Sequence, residues 1–367
     1  MKNMIRVLSI DGGGIRGVIP AMVMAELERR SGHPIHELFD LTAGTSTGGL
    51  LTMTAVVPGE NGQAKFKATE LPELYEMYGK QIFSRTRWDA ILSMDNWRVR
   101  RYPNTGIAEA LRDLFGDAKL SDALTDVMIT SYDIEKRLPW FFCSHHARQN
   151  IHADFYMRDA VRATTAAPTF FEPALVENFA EPEAPHAMID GSMTSINPTL
   201  NAYIEARAMY PEHHDFMVVS LGTGNLTQPL PYNDVRRWGL LDWARPLANI
   251  MFDASSRAVD YQMKRLLPHI DDGTGRYFRL QKRIEGMDHG MDDISPVSIA
   301  LLREWAQEIV RENDETLDII CEIVVNETDA RKVETKSRRR LFQLSSLAFW
   351  RRDSDDASAE DDIAQTG

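Results

Sequence analysis

The sequence contains few cysteines and no apolar segment of membrane-spanning length. Cys143 and Cys321 are the two cysteines among 367 residues, and they lack the short spacing typical of zinc ligands. Neither a disulfide framework nor a zinc site is therefore predicted. No apolar run reaches the roughly 18 residues that cross a bilayer. Asp11 and Gly12 interrupt the first apolar stretch too early for a signal peptide, so we expect a reduced, cytoplasmic protein.

The sequence also has fewer basic than acidic residues. It contains 41 Lys and Arg and 54 Asp and Glu, which gives a formal net charge of −13. That balance argues against binding to a nucleic-acid polymer, whose phosphates would repel the protein. Six of the acids stand in the run DSDDASAEDD at 353–362, and the basic, aromatic segment KSRRRLFQLSSLAFWRR at 336–352 precedes them. We therefore expect a folded domain over residues 1–325 and a charged extension over residues 326–367.

Short apolar runs alternate with helical patterns along the domain. This β–α–β–α order is typical of an α/β fold with a mainly parallel sheet. The predicted strands are Val7–Ile10, Leu38–Ala43, Val127–Asp133 and Phe216–Leu221, and the predicted helices are Gly17–Arg30, one from about Gly48, and Pro296–Val325.

A glycine-rich loop, DGGGIRG, joins the first predicted strand to the first helix. Backbone N–H groups at such a position bind negative charge, either a cofactor's pyrophosphate or the oxyanion of an ester under attack. The loop matches the dinucleotide-binding pattern G-x-G-x-x-G. That pattern requires an acid at the end of the next strand, whereas Glu37 and Asp40 precede or begin it.

A second motif stands at the end of that strand. Gly44-Thr45-Ser46-Thr47-Gly48 is a G-x-S-x-G sequence, in which a serine on a tight strand-to-helix turn exposes its hydroxyl. The glycines at Gly44 and Gly48 leave room for the turn and for a substrate. A nucleophile next to a donor-rich loop favours acyl transfer over cofactor binding.

A serine nucleophile needs a base that takes its proton. One arrangement pairs Ser46 with Asp190 and with His269 or His289 as a triad, but neither histidine follows a predicted strand end. The other uses Asp190 directly, because HAMIDGS is an apolar strand that ends in an acid on a turn. An unperturbed aspartate is a weak base, so Asp190 would need burial or a tight hydrogen bond.

The three segments DGGGIRG, GTSTG and DGS, in that order, resemble the patatin-like phospholipase family. RATTAAPTFFEP at 162–173 and VVSLGTG at 218–224 are similar to further segments of that family, while Ser192 departs from its usual Gly or Ala. The resemblance implies a three-layer α/β/α fold with Ser46 as nucleophile and Asp190 as base. It also implies an oxyanion loop formed by Gly12, Gly13, Gly14 and Arg16.

The resemblance further implies hydrolysis of phospholipids or other acyl lipids at a membrane surface, without metal or cofactor. Some bacterial relatives are antiphage effectors that cyclic nucleotides activate, so such an activator and a homo-oligomer are expectations. The alternative is a noncatalytic lipid-binding or scaffold protein that keeps the fold. For residues 336–352, a helix lying on an anionic bilayer and a helix packed on the domain or on an oligomeric partner both remain open.

Overall fold

The computed structural model describes residues 4–82, 102, 104–226, 229–267, 276–284 and 291–332. The extension at 336–352, its acidic tail, His269 and His289 therefore lie outside the described residues. Within the described part of the chain, no helix is both long and apolar enough to cross a membrane.

Eight strands form one sheet in the order β5-β6-β3-β2-β1-β7-β9, with β4 paired to β3. Its centre is parallel, because β1 pairs in parallel with β2 and β7, as do β2 with β3 and β7 with β9. A two-strand pair, β8 with β10, stands apart. The strands are β1 (Ile5–Ile10), β2 (Leu41–Gly44), β3 (Asp126–Asp133), β4 (Leu138–Cys143), β5 (Ala174–Val176), β6 (His186–Asp190), β7 (Phe216–Leu221), β8 (Asn225–Leu226), β9 (Tyr277–Leu280) and β10 (Arg283–Ile284).

The helices cover both faces of this sheet. They are α1 (Val18–Ser31), α2 (Ile35–Leu38), α3 (Thr47–Val56), α4 (Leu71–Ile82), α5 (Asn104–Phe115), α6 (Ser144–Gln149), α7 (Met157–Thr164), α8 (Ser192–Ser195), α9 (Thr199–Met209), α10 (Tyr232–Val235), α11 (Leu240–Leu266), α12 (Pro296–Glu312) and α13 (314–332). Short 3-10 turns lie at Gly14–Gly17, Ala68–Glu70, Leu120–Asp122 and Ile151–Ala153.

Strand β1 shows why the molecule has three layers. All six of its residues are buried, because alternate side chains enter two separate apolar clusters. Leu8 and Ile10 pack with residues of α1, α3 and α12, whereas Ile5 and Val7 pack with residues of α9 and α11. The predicted α/β/α fold with a mainly parallel sheet is confirmed.

The predicted helix Pro296–Val325 is divided in the structure. It ends at Glu312, where the Asn313 side chain donates to the Ile309 carbonyl at 2.8 Å, and a new helix runs over 314–332. This last helix is attached to the sheet by Thr328, whose hydroxyl accepts from the buried Arg6 at 2.6 Å. Arg6 in turn pairs with Asp40 at 3.1 Å.

The register of β3 places the ends of two strands face to face. Strand β4 occupies one edge of β3 from Met128 to Asp133, so β2 and β6 share the other edge. Strand β2 runs parallel to β3 and ends opposite Ile129, while β6 runs antiparallel and ends opposite Ser131. The carboxyl ends of β2 and β6 therefore meet beside Thr130.

Candidate active site

Ser46 follows β2 in a backbone conformation that few residues adopt. Its φ of 52° and ψ of −120° place a non-glycine residue at positive φ, which is costly and found mainly at functional sites. A Cβ on Gly44 would overlap the Gly48 carbonyl, and a Cβ on Gly48 would overlap the Ile10 carbonyl. Glycine at both positions is therefore what allows the turn to expose the serine hydroxyl.

Asp190 ends β6 and meets that hydroxyl directly. Ser46 Oγ donates to Asp190 Oδ2 at 2.7 Å, and the Ser192 N–H donates to Oδ1 at 2.8 Å. The carboxyl is 2% exposed, and burial raises its pKa although hydrogen bonds from Ser192 and Ser46 act in the opposite direction. A raised pKa makes the carboxylate a better proton acceptor than an exposed aspartate.

The RATTAAP segment holds both halves of this pair in place. The Thr164 hydroxyl accepts from the Ser46 N–H at 2.8 Å, and the Thr164 carbonyl accepts from the Gly191 N–H at 3.1 Å. The Ala166 carbonyl accepts from the Asp190 N–H at 3.0 Å. One short segment thus fixes the backbone of the nucleophile and of the acid at once.

The glycine loop presents two backbone donors. The Thr223 hydroxyl donates to the Gly12 carbonyl at 2.8 Å, and Arg16 Nε donates to the Gly13 carbonyl at 3.3 Å. In a planar trans peptide the N–H points opposite to the carbonyl, so these contacts orient the N–H groups of Gly13 and Gly14. Neither N–H has an acceptor among the described residues. The Gly12 N–H, by contrast, is bonded to the Ile196 carbonyl at 2.9 Å.

The loop is fastened to the nucleophile turn through the Gly14 carbonyl. It accepts from the Thr47 hydroxyl at 2.7 Å and from the Tyr75 hydroxyl at 2.5 Å. Thr47 directly follows the nucleophile, so its bond sets the position of the loop relative to Ser46. A Cβ on Gly17 would overlap the Tyr75 ring, which explains the last glycine of the motif.

Two arginines, the buried Arg16 and the largely buried Arg279, support the same loop. Arg16 Nη1 donates to the Gly224 carbonyl at 3.0 Å, and burial lowers its pKa to about 10, so it stays charged at neutral pH. Asp11 forms a two-bond pair with Arg279 at 2.9 and 2.5 Å. Sequence reasoning missed Thr223, Tyr75 and Arg279 as parts of the site, because each reaches the loop from a distant part of the chain.

Glu37 and Asp40, the acidic residues considered for ribose binding in a dinucleotide site, form ion pairs with basic residues of the protein. Asp40 pairs with Arg6 and Arg331, and Glu37 accepts from Lys332 at 2.7 Å. Both carboxylates therefore fasten α13 to the rest of the domain. The pairing offers no support for a ribose-binding role.

One group within the described residues has metal-ligand chemistry. Cys143, His146 and Glu205 bring their ligand atoms within 4.8 Å of one another. Burial raises the pKa of the Cys143 thiol, and Glu205 already accepts from His145 at 2.9 Å. The group includes neither Ser46 nor Asp190.

Comparison with known proteins identifies the family of the chain. The family model for patatin-like phospholipases matches residues 8–203. Patatin-like protein 2 of Oryza sativa subsp. indica is 31% identical, over 86% of this chain and 86% of that protein. The chain belongs to the patatin-like phospholipase family. The predicted family is thereby confirmed, and lipid acyl hydrolysis is the activity that the family supports in general.

Two other proteins are also similar to this chain. A Solanum tuberosum protein named probable inactive patatin-3-Kuras 1 is 27% identical, over 87% of this chain and 91% of that protein. The crystal structure of VipD from Legionella pneumophila covers 84% of this chain and 67% of that chain, with 10% identity and a TM-score of 0.36.

Proposed function

We propose that this patatin-like protein is a serine acyl hydrolase that cleaves ester bonds of membrane lipids through a Ser46–Asp190 dyad. The observation that carries the proposal is the 2.7 Å hydrogen bond from Ser46 Oγ to a buried carboxylate, made by a serine at positive φ. Nucleophile and base lie within hydrogen-bond reach, which is the geometry that nucleophilic catalysis requires.

In the proposed reaction, Ser46 Oγ attacks the ester carbonyl carbon while its proton passes to Asp190. The N–H groups of Gly13 and Gly14 stabilise the oxyanion of the tetrahedral intermediate. Collapse of the intermediate releases the alcohol, which takes the proton back from Asp190 and leaves an acyl-serine. Water then attacks the acyl-serine carbonyl carbon and gives a proton to Asp190. Collapse of this second intermediate breaks the bond to Ser46 Oγ, which takes the proton back from Asp190 as the fatty acid leaves.

The test is ester hydrolysis by purified variants. Ser46→Ala and Asp190→Asn should each abolish hydrolysis of a short-chain ester and of phospholipid while the protein stays folded, and a fluorophosphonate should label Ser46. Ser31→Ala and the exposed Asp117→Asn are matched controls and should keep activity. Equal loss of activity in His269→Ala or His289→Ala would refute a histidine-free mechanism.

A noncatalytic lipid-binding or scaffold protein is the alternative, and one relative carries "inactive" in its name. The intact hydrogen bond between Ser46 and Asp190 favours catalysis. Hydrolysis of any acyl ester, if Ser46→Ala abolishes it, would show that the protein is an enzyme. Lipid binding without turnover, unaffected by Ser46→Ala, would decide for the alternative.

We also propose that a cyclic nucleotide activates the enzyme, as part of an antiphage effector role. What supports the proposal is a cavity of about 770 Å³ whose lining includes Arg257, Lys264, Tyr277 and Arg279. Its size suits a ligand of this class, and Arg279 links the cavity to Asp11 of the glycine loop. Lipid hydrolysis should therefore rise with one member of a panel of cyclic di- and trinucleotides. High basal activity that no member changes would refute this role.

A further inference from the structure

Residues 229–255 form an arm, built from α10 and the first half of α11, that carries an unusual amount of exposed apolar surface. None of its side chains whose burial is described is buried. Leu240 is 88% exposed and Leu241 is 75% exposed. The other large apolar residues exposed on the arm are Leu230, Tyr232, Leu247, Ile250 and Met251. Apolar surface of this extent marks an interaction site rather than a solvated surface.

The exposed side chains Leu240, Leu247 and Met251 lie on the outer face of α11. Ser256, Val259 and Met263 are the buried positions of this helix and mark the face that packs on the sheet. At 100° per residue, Leu240, Leu247 and Met251 cluster on one side of the helix. That side lies about 150° around the helix from Ser256 and Met263 and about 100° from Val259. An ordinary surface helix has the opposite arrangement, with its apolar stripe toward the core.

The carboxyl-terminal end of the arm lies beside the glycine loop. Asn249, Phe252 and Asp253 line a small cavity of about 60 Å³ together with Asp11 and Gly12 of the glycine loop. The inner side of α11 therefore borders the catalytic loop, while its outer side is apolar and exposed.

The composition of the arm fits a bilayer surface. Trp238 and Trp243 pack edge to face with ring centroids 5.2 Å apart, and Arg236 and Arg237 stand next to them and are exposed. Aromatic side chains with neighbouring arginines are typical of segments that lie in the membrane interface. The arm carries three arginines and three aspartates, so it lacks the net negative charge of the whole chain, −13.

We propose that the arm is a membrane-docking surface that inserts Leu240, Leu247 and Met251 into the bilayer interface and delivers lipid to the Ser46 site. This inference rests on the proposed function for the identity of the substrate. It places the membrane contact on a helix beside the active site, independently of the segment at 336–352.

The test compares two triple variants of the full chain, each made in a Ser46→Ala background and in the active protein. The arm variant is Leu240→Gln, Leu247→Gln and Met251→Gln, and the control is Leu175→Gln, Ile204→Gln and Val297→Gln at equally exposed apolar positions elsewhere. Binding to phosphatidylcholine vesicles should fall at least about tenfold in the arm variant and stay unchanged in the control. Hydrolysis of vesicle phospholipid should fall to a similar extent, while hydrolysis of a soluble short-chain ester should not change.

Unchanged vesicle binding by the folded arm variant would overturn the proposal. So would a change from dimer to monomer in sedimentation without loss of vesicle binding, because the arm would then be an interface with a second copy. Binding is measured in the Ser46→Ala background and does not depend on turnover. Absence of ester hydrolysis by the protein with Ser46 intact would therefore refute the proposed function. The vesicle-binding measurement would still test the membrane-docking proposal.

Discussion

Replacing Thr223 with valine removes one hydroxyl while keeping the shape of a buried side chain. Thr223 is 3% exposed, and its hydroxyl donates to the Gly12 carbonyl at 2.8 Å. Without that bond, the peptide between Gly12 and Gly13 is held less firmly, and the Gly13 N–H is less well oriented toward the oxyanion. We expect kcat for a soluble ester to fall while KM changes little, because the N–H acts mainly in the transition state.

The size of this effect follows from the number of donors involved. Complete loss of one oxyanion donor costs about 2.7–4 kcal/mol, or 100- to 1,000-fold in kcat. Thr223→Val loosens the Gly13 donor without removing it, and the Gly14 donor keeps its support from Arg16. We therefore expect a loss of about 1.4 kcal/mol, which is roughly tenfold in kcat.

Thr52→Val is the matched control for this measurement. Thr52 is 1% exposed, and its hydroxyl has no hydrogen-bond partner among the described residues. Its removal should leave kcat unchanged and should not lower the free energy of unfolding, because an unsatisfied buried hydroxyl is itself costly. Steady-state kinetics and urea unfolding of both variants provide the comparison. Equal kcat values in Thr223→Val and Thr52→Val would refute the orientation argument.

Two other outcomes are expected. Ser192→Ala removes a hydroxyl whose hydrogen bond lowers the pKa of Asp190. The pKa of Asp190 should therefore rise, and the acidic limb of the pH profile of kcat/KM should move to higher pH. An acidic limb at the same pH in both proteins would show that the Ser192 hydroxyl does not affect Asp190. Activity should survive EDTA, since the metal-ligand group of the described residues, Cys143, His146 and Glu205, includes neither member of the dyad. Restoration of lost activity by calcium alone would contradict this.

Local sequence patterns predicted the first strand and helix well and the strand before the nucleophile less well, because Leu38–Ala43 was predicted whereas the strand is Leu41–Gly44 and Leu38 ends α2. The predicted strand Val7–Ile10 and helix Gly17–Arg30 correspond to Ile5–Ile10 and Val18–Ser31, because apolar runs and glycine punctuation are properties of neighbouring residues. The division of the last long helix at Asn313 was missed, although asparagine is a common residue at helix ends.

The support of the glycine loop could not be predicted from the sequence. Thr223 reaches Gly12 across 211 positions, and Arg279 reaches Asp11 across 268. These contacts depend on the pairing of β7 with β1 and of β9 with β7. Local sequence patterns do not predict the order of strands in a sheet. The outward apolar face of α11 was equally hidden, because a helical period does not tell which face meets the core.

The strand arrangement brings Asp190 directly against Ser46, as the proposed dyad requires. Gly44 and Asp190 lie opposite positions of β3 that are two residues apart, so the two strand ends are separated by about 7 Å. A serine and an aspartate fill that gap with a 2.7 Å hydrogen bond, and an imidazole has no space there. Asp190→Glu adds one methylene to a side chain that is 2% exposed, which forces the carboxylate out of line with Oγ. A displacement of about 1 Å can cost about 100-fold in rate, so we expect at least that loss in kcat with folding retained. Activity near that of the unaltered protein would mean that the base reaches Ser46 by another route.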